Sequence, residues 1–116
     1  MKVLVCGSRE FTNYELLEKT LDGFGEGKIN QIIHGMARGA DKIGGEYARI
    51  RGIEVLEFPA NWGLYGNRAG PIRNAEMLAE GLPDCVVAFW DGTSRGTKNM
   101  IEQAQTAGIP TYVVNI

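Results

Sequence analysis

The chain has 116 residues, 16 of them glycine, and its formal net charge at pH 7 is −2. This length is typical of one domain, so we expect a single domain over residues 1–116. With 44% hydrophobic and 22% charged residues, the composition excludes a disordered chain, and glycines without a period of three exclude a collagen.

Short apolar segments alternate along the chain with segments of helical periodicity. The apolar segments are the predicted strands. Several of them lack polar alternation, which is typical of strands buried on both faces of a parallel sheet. In chain order these segments are Val3–Cys6, Ile29–His34, Ile53–Phe58, Cys85–Trp90 and Thr111–Ile116.

Four helices are predicted between these strands. The first begins with a capping box at Thr12 and Glu15. An apolar stripe at Tyr14, Leu17, Leu21 and Phe24 follows it. Each of the other three helices is predicted to stop at a glycine. They are Ala40–Arg51, Ile72–Glu80 and Thr97–Ala107.

The alternation of strands and helices predicts an α/β fold in three layers, with a five-stranded parallel sheet between two layers of helices. We expect right-handed crossovers and the strand order 3-2-1-4-5, with the switch point between the first and fourth strands. Ligands bind such sheets beyond the carboxyl ends of the strands, so the loops after the strands are the candidate site.

Four loops at this edge combine glycines with arginines. The loops at the opposite edge contain only one basic residue, Lys28. Glycines let backbone N–H groups approach a ligand closely, and helix N-termini favour anions. We therefore predict a phosphate-bearing, nucleotide-type ligand. The predicted ligand-binding residues are Gly7, Ser8, Arg9, Gly35, Arg38, Gly39, Asp41, Trp62, Arg68, Arg73, Asn74, Asp91, Gly92, Ser94, Arg95, Gly96 and Thr97.

Some of these residues also have a purely structural interpretation. Trp62 and Tyr65 either stack on a base or fix a long loop to the surface. Asp41 and Thr97 are predicted to cap the second and fourth helices. Asp91 binds ribose hydroxyls, acts as an acid or base, or initiates the turn that follows it.

Other residues are predicted to be structural. His34 is expected to be hydrogen-bonded at the end of its strand. Gly44 and Gly45 indicate close packing on the sheet or on another subunit, because each costs about 1 kcal/mol relative to Ala in a helix. Cys6 and Cys85 are placed at opposite ends of the sheet, so no disulfide is expected.

Several classes of partner are not expected. The two isolated cysteines and the single histidine do not predict a metal site, and no cofactor is required. No segment has the length of a signal-peptide core or a membrane span. The cysteine usage suits a reducing compartment, so we expect a cytoplasmic protein without a membrane partner.

The four loops together resemble the SLOG superfamily, with the greatest similarity to its YspA/YpsA-related branch of small bacterial and phage proteins. The segments that carry the resemblance are GSR at 7–9, HGMARGAD at 34–41, AGPIRN at 69–74 and WDGTSRGT at 90–97. The resemblance implies a Rossmann-like fold and a nucleotide or nucleotide-derived ligand.

The superfamily includes the Lonely Guy phosphoribohydrolases, which cleave a base from a nucleoside 5′-monophosphate. By this resemblance, Arg73 matches the family's functional arginine, and Gly96 and Thr97 match its Gly-Thr. The catalytic Glu of those enzymes falls on Met100, which cannot act as an acid or base. Glu102 lies two residues on, about 200° around the helix, and does not replace it.

Three functions remain open. The first is a binding protein that holds a nucleotide or an ADP-ribose-like molecule as a sensor, carrier or sink. The second is a nucleotide N-glycoside hydrolase or transferase, in which Asp91 or Glu10 replaces the missing Glu and Arg73 orients phosphate or the leaving group. The third is single-stranded nucleic-acid binding, as in the relative DprA, which the pI of about 5.4 disfavours. The resemblance also implies a homo-oligomer.

Overall fold

Five parallel strands form one sheet in the computed structural model, which describes residues 1–116. The strands are β1 (Lys2–Gly7), β2 (Gln31–His34), β3 (Glu54–Glu57), β4 (Cys85–Trp90) and β5 (Thr111–Asn115). Their order in the sheet is β3-β2-β1-β4-β5, which confirms the predicted order. The strand order therefore reverses between β1 and β4, whose register pairs Val3 with Cys85 and Gly7 with Phe89.

Helices cover both faces of this sheet. They are α1 (Tyr14–Asp22), α2 (Ala40–Arg51), α3 (Trp62–Tyr65), α4 (Ala69–Gly81) and α5 (Arg95–Thr106), with a 3-10 helix at Gly66–Arg68. α1 and α2 pack on one face, and α4 and α5 pack on the other. None of these helices has the length and apolar character needed to cross a membrane.

The core consists of two apolar layers, one on each side of the sheet. Val3 and Val5 of β1 point into the layer under α1 and α2, whereas Leu4 and Cys6 point into the layer under α4 and α5. This alternation follows from the two-residue period of a strand. Because helices pack on both faces of the central strands, β1, β2 and β4 are buried almost throughout.

The two edge strands are much more exposed. Neither β3 nor β5 contains a buried residue, and the side chain of Tyr112 in β5 is 51% exposed. The burial on both faces that the apolar segments predicted therefore does not extend to these two strands. An edge strand has a neighbour on one side only, and the four long helices cover the middle of the sheet.

Two predicted helix starts are also wrong. α1 is capped by Asn13, whose side chain accepts a hydrogen bond from the backbone N–H of Leu16, so the capping box at Thr12 is not formed. α4 begins at Ala69, earlier than predicted, and carries Pro71 in its first turn, where proline is tolerated because its missing N–H has no intrahelical partner.

The predicted caps of the second and fourth helices are likewise corrected. Gly39 is the N-cap of α2, and no side chain caps that helix, so Asp41 is not a cap. Ser94 is the N-cap of α5 and accepts from the backbone N–H of Thr97 at 3.4 Å. Thr97 is therefore the capped residue and not the cap.

Glycine allows α2 to pack closely on the sheet, as predicted. A Cβ atom on Gly44 would lie 3.0 Å from Val5 Cγ1, and one on Gly45 would lie 3.0 Å from His34 Nε2. At Gly39 the requirement is stricter. Its φ is +79°, and a Cβ there would overlap Ser8 O and lie 2.7 Å from Arg9 Cα. Gly39 thus lets the loops after β1 and β2 pack against each other.

We predict that Gly39→Ala destabilises the fold more than Gly27→Ala. Both glycines have positive φ, which for alanine costs about 1–2 kcal/mol, but only Gly39 has backbone atoms in the way of a Cβ. The measurement is the free energy of unfolding in urea for the wild type and both variants. Equal losses for the two variants would show that the packing of Gly39 on Ser8 and Arg9 adds nothing to stability.

Candidate functional site

A cavity of about 370 Å³ opens over the carboxyl ends of β1 and β4, at the switch point of the sheet. We call it the switch-point cavity. Its walls come from the loops after β1, β2 and β4, from the second and third turns of α4, and from the starts of α2 and α5. It is lined by Cys6, Gly7, Ser8, Arg9, Glu10, Ala37, Asp41, Arg73, Asn74, Met77, Ser94, Arg95, Gly96, Thr97 and Met100.

A second cavity of about 750 Å³ adjoins the first, between the loops after β2 and β3. We call it the Trp62 cavity. Arg9, Ala37 and Arg73 line both cavities and form the wall between them. The remaining lining residues are Gly35, Met36, Arg38, Pro59, Ala60 and Trp62.

All but four of the predicted ligand-binding residues line one of these two cavities. The exceptions are Gly39, Arg68, Asp91 and Gly92. Gly39 is buried beneath the loop after β1, whereas Arg68 and Gly92 are exposed outside the cavities. Asp91 faces a separate depression together with Ile116.

Another cavity, of about 660 Å³, lies at the opposite edge of the sheet. Its only basic lining residue is Arg51, which pairs with Glu18 and Asp22 at 3.2 and 2.8 Å. Because this arginine is already neutralised, the lining of this cavity has no free cation for an anionic ligand.

Arg73 is held in the wall between the two cavities by two hydrogen bonds. Its Nη1 donates to the carbonyl of Gly35 at 2.6 Å, and its Nε donates to Asn74 Oδ1 at 3.1 Å. A Cβ on Gly35 would lie 2.7 Å from Arg73 Cζ. Glycine at position 35 therefore makes room for a protein side chain, not for a ligand, and leaves Nη2 of Arg73 without a partner in the chain.

Asp41 binds the backbone N–H of Gly35, whereas Arg73 binds its carbonyl. Its carboxylate accepts from the backbone N–H of Gly35 at 2.8 Å and from that of Ala37 at 3.4 Å. Burial raises the pKa of Asp41 to about 6, although the hydrogen bond from Gly35 and the nearby Arg73 act to lower it. Asp41 thus fixes the loop after β2 from below the cavities.

Asn74 connects Arg73 to the start of α5. Its side chain is buried, and its Nδ2 donates to the carbonyl of Gly96 at 3.2 Å and to Asn99 Oδ1 at 3.1 Å. Since its Oδ1 accepts from Arg73, both ends of the amide are occupied. Asn74 positions Arg73 relative to α5. Asn99 completes this network, and no sequence motif marks it.

Asp91 organises the loop between β4 and α5. Its Oδ1 accepts from the backbone N–H groups of Thr93 and Ser94, both at 2.8 Å, and its Oδ2 accepts from Ser8 Oγ at 3.1 Å. The hydrogen bonds from Thr93 and Ser94 lower the pKa of Asp91 to about 2. Asp91 therefore joins the loops after β1 and β4 as a permanent carboxylate.

The N-terminus of α5 presents free backbone N–H groups to the switch-point cavity. Ser94 caps Thr97, but the amides of Arg95 and Gly96 have no acceptor in the chain. Arg95 and Gly96 both line the cavity and are exposed. A helix N-terminus carries a partial positive charge that favours anions.

Some arginines around the cavities pair with a carboxylate, and others do not. Arg38 pairs with Glu10 at 3.1 Å on the surface, whereas Arg9 and Arg95 make no ion pair. Desolvation lowers the pKa of Arg73, the neighbouring Arg9 lowers it further, and Asp41 raises it. The wall between the cavities therefore carries uncompensated positive charge.

The floor of the switch-point cavity is apolar. Met77 and Met100 are each 1% exposed and belong to the core layer under α4 and α5. Met100 occupies the position that the resemblance assigns to a catalytic Glu. A side chain at this position is almost entirely enclosed by the core, so methionine here contributes packing.

His34 is hydrogen-bonded at the end of its strand, as predicted. Its Nδ1 accepts from the backbone N–H of Met36 at 3.0 Å, and its Nε2 lies 3.6 Å from Glu57. Burial lowers the pKa of His34.

Sequence reasoning missed Met36, Pro59 and Ala60 as lining residues, because an apolar loop residue carries no signal of its own.

We predict that the difference in unfolding free energy between the wild type and Asp41→Asn depends on pH. Since folding raises the pKa of Asp41 from 3.8 to about 6, the native state binds more protons in this range. The contribution of Asp41 is therefore greatest below pH 4 and is lost as the pH rises through 6. From pH 4 to 7 the wild type should lose about 2–3 kcal/mol relative to the variant.

Asp91→Asn is the matched control, measured by the same urea titrations. Folding lowers the pKa of Asp91 to about 2, so its contribution is present above its unfolded pKa and lost only as the pH falls through 2. The wild type and this variant should differ by a constant amount between pH 5 and 7. A constant difference for Asp41→Asn over pH 4–7 would contradict the buried carboxyl.

Comparison with known proteins shows the family of this chain. Residues 1–65 match the family described as the YspA, cpYpsA-related SLOG family (YAcAr). The chain is also similar to the "Gene 61 protein" of Mycobacterium phage D29, with 37% identity over 118 residues that cover 94% of this chain and 92% of that protein. The family match includes the loops after β1 and β2, with Arg9 and Arg38. The chain therefore belongs to the YspA, cpYpsA-related SLOG family.

Proposed function

We propose that the protein binds a nucleotide or a nucleotide-derived molecule, with its phosphate in the switch-point cavity, and acts as a sensor, carrier or sink for it. One observation carries this proposal. The unpaired Arg9 and Arg95, the partly free guanidinium of Arg73 and the free amides of α5 all line one cavity. Membership in a SLOG family supports a nucleotide-related ligand.

The chemistry of these groups matches a phosphate. Arginine presents planar N–H donors that bind phosphate oxygens in pairs. The amides of Arg95 and Gly96 add donors at the positive end of the α5 dipole. A cavity of about 370 Å³ lies within the range of about 300–1,000 Å³ that is typical of small-molecule sites.

Both carboxylates predicted to replace the missing Glu are already engaged within the protein, which favours binding over hydrolysis. The carboxylate of Asp91 accepts three hydrogen bonds, and its pKa of about 2 leaves it without a proton to donate near neutral pH. Glu10 pairs with Arg38. Met100 stands at the position of the family's catalytic Glu, and its thioether cannot act as an acid or base. A general acid or base has to be within hydrogen-bond reach of the proton that it transfers.

We predict that Arg95→Ala weakens nucleotide binding by about 10- to 100-fold. Removing a charged hydrogen-bond partner costs about 1.5–3 kcal/mol, and each 1.4 kcal/mol is about tenfold in affinity. Isothermal titration with nucleoside mono- and diphosphates measures the change. Arg49→Ala is the matched control, because Arg49 is an exposed arginine in the last turn of α2, away from the switch-point cavity.

The control should bind nucleotides as the wild type does. If Arg95→Ala also binds with unchanged affinity, the phosphate does not lie at the N-terminus of α5. If the wild type binds none of the nucleotides, the proposed function itself is wrong.

We also predict that the protein does not release a free base from nucleoside 5′-monophosphates or from NAD. The expected result of prolonged incubation, followed by chromatography, is an unchanged nucleotide. Release of base by the wild type but not by Asp91→Asn or Glu10→Gln would establish the hydrolase instead. The phosphate site would then be part of an active site.

A further inference from the structure

The Trp62 cavity adds apolar and aromatic surface to the Arg9–Arg73 wall that it shares with the switch-point cavity. Its outer wall consists of Pro59, Ala60 and Trp62 from the loop after β3, and Met36 faces it from the loop after β2. The side chains of Trp62 and Met36 are 51% and 53% exposed. The cavity therefore offers apolar surface next to a cationic wall.

The ring of Trp62 has a defined support. Its Cη2 atom would lie 3.6 Å from a Cβ on Gly70, so one edge of the indole packs near the first turn of α4. The side chain is still 51% exposed and lines the cavity, so it offers aromatic surface for stacking. Base–aromatic stacking tolerates any base, because every base has a π-face.

Arg9 and Arg73 lie where the two cavities meet. An anionic group bound between these arginines has one cavity on each side. One side holds Arg95 and the amides of α5, and the other holds Trp62. The positive charge thus extends from the start of α5 to the wall between the cavities, which suits more than one phosphate.

We infer that the ligand is a dinucleotide-like molecule in which a diphosphate joins two ring-bearing groups. This inference rests on the proposed function and specifies its ligand class. The diphosphate lies between α5 and the Arg9–Arg73 wall, the first nucleoside occupies the switch-point cavity, and the second ring stacks on Trp62. Trp62 is then the residue that distinguishes this ligand from a mononucleotide.

The test compares ligands that differ only in the second group. The probes are the nucleoside monophosphate, the nucleoside diphosphate and the symmetric 5′–5′ dinucleoside diphosphate of adenosine, guanosine, cytidine and uridine. Dissociation constants are measured by calorimetry for the wild type, Trp62→Ala, Trp62→Phe and Tyr65→Ala. Tyr65 is the matched control, because it is an exposed aromatic residue of the same short helix and does not line the cavity.

For at least one base, the wild type should bind the dinucleoside diphosphate at least tenfold more tightly than the nucleoside diphosphate. Trp62→Ala should weaken the dinucleoside diphosphate by about 5- to 150-fold, which is the range for loss of one stacked base, and leave the nucleoside diphosphate unchanged. Trp62→Phe should keep most of the preference, since it retains an aromatic face. Tyr65→Ala should keep all of it.

Three results would overturn the inference and leave the proposed function intact. The first is a wild type that binds nucleoside diphosphates and dinucleoside diphosphates equally well. The second is a preference that survives in Trp62→Ala, and the third is an equal loss for both ligands in that variant. Failure of the wild type to bind any of the probes would overturn the proposed function together with the inference.

Discussion

The backbone N–H and carbonyl of Gly35 hold the carboxyl edge of the sheet together. The N–H is bound by Asp41 of α2, and the carbonyl is bound by Arg73 of α4. These helices lie on opposite faces of the sheet, so the two hydrogen bonds join both layers at one residue. Through Asn74 the same network reaches the carbonyl of Gly96 in α5, and the loop after β2 and the start of α5 are fixed relative to each other.

This arrangement places charges in an environment that opposes them. Burial raises the pKa of Asp41, and desolvation lowers that of Arg73. The attraction between the two groups offsets part of this cost, yet Arg9 adds a second positive charge beside Arg73 without a carboxylate of its own. An anion at the wall between the cavities would supply the missing negative charge. The same network that orders the loops therefore also prepares the site that we propose for phosphate.

Particular residues show why the site was harder to predict than the fold. Glycines 7, 35 and 39 were predicted to let backbone amides approach a ligand, but a Cβ at each would meet atoms of the protein itself. Of the five predicted glycines, only Gly92 and Gly96, which lie between β4 and the first turn of α5, would leave an added Cβ without a heavy atom within 4 Å. A glycine-rich loop looks the same in sequence whether its neighbour is a ligand or another loop. Asp91 and Asn74 were selected for their polar side chains, which the fold uses for internal hydrogen bonds.

The sequence by itself determined the parallel α/β architecture and the edge of the sheet at which the arginines gather. Both follow from local patterns, because buried strands are apolar, helices are periodic, and parallel connections are right-handed. The tertiary structure alone decided which of those arginines are free. Arg38 meets Glu10 and Arg73 meets the carbonyl of Gly35, whereas Arg9 and Arg95 meet no carboxylate. These partners are distant in the chain, and a hydrogen bond or ion pair depends on distances of a few ångströms that only the packing of the helices on the sheet sets.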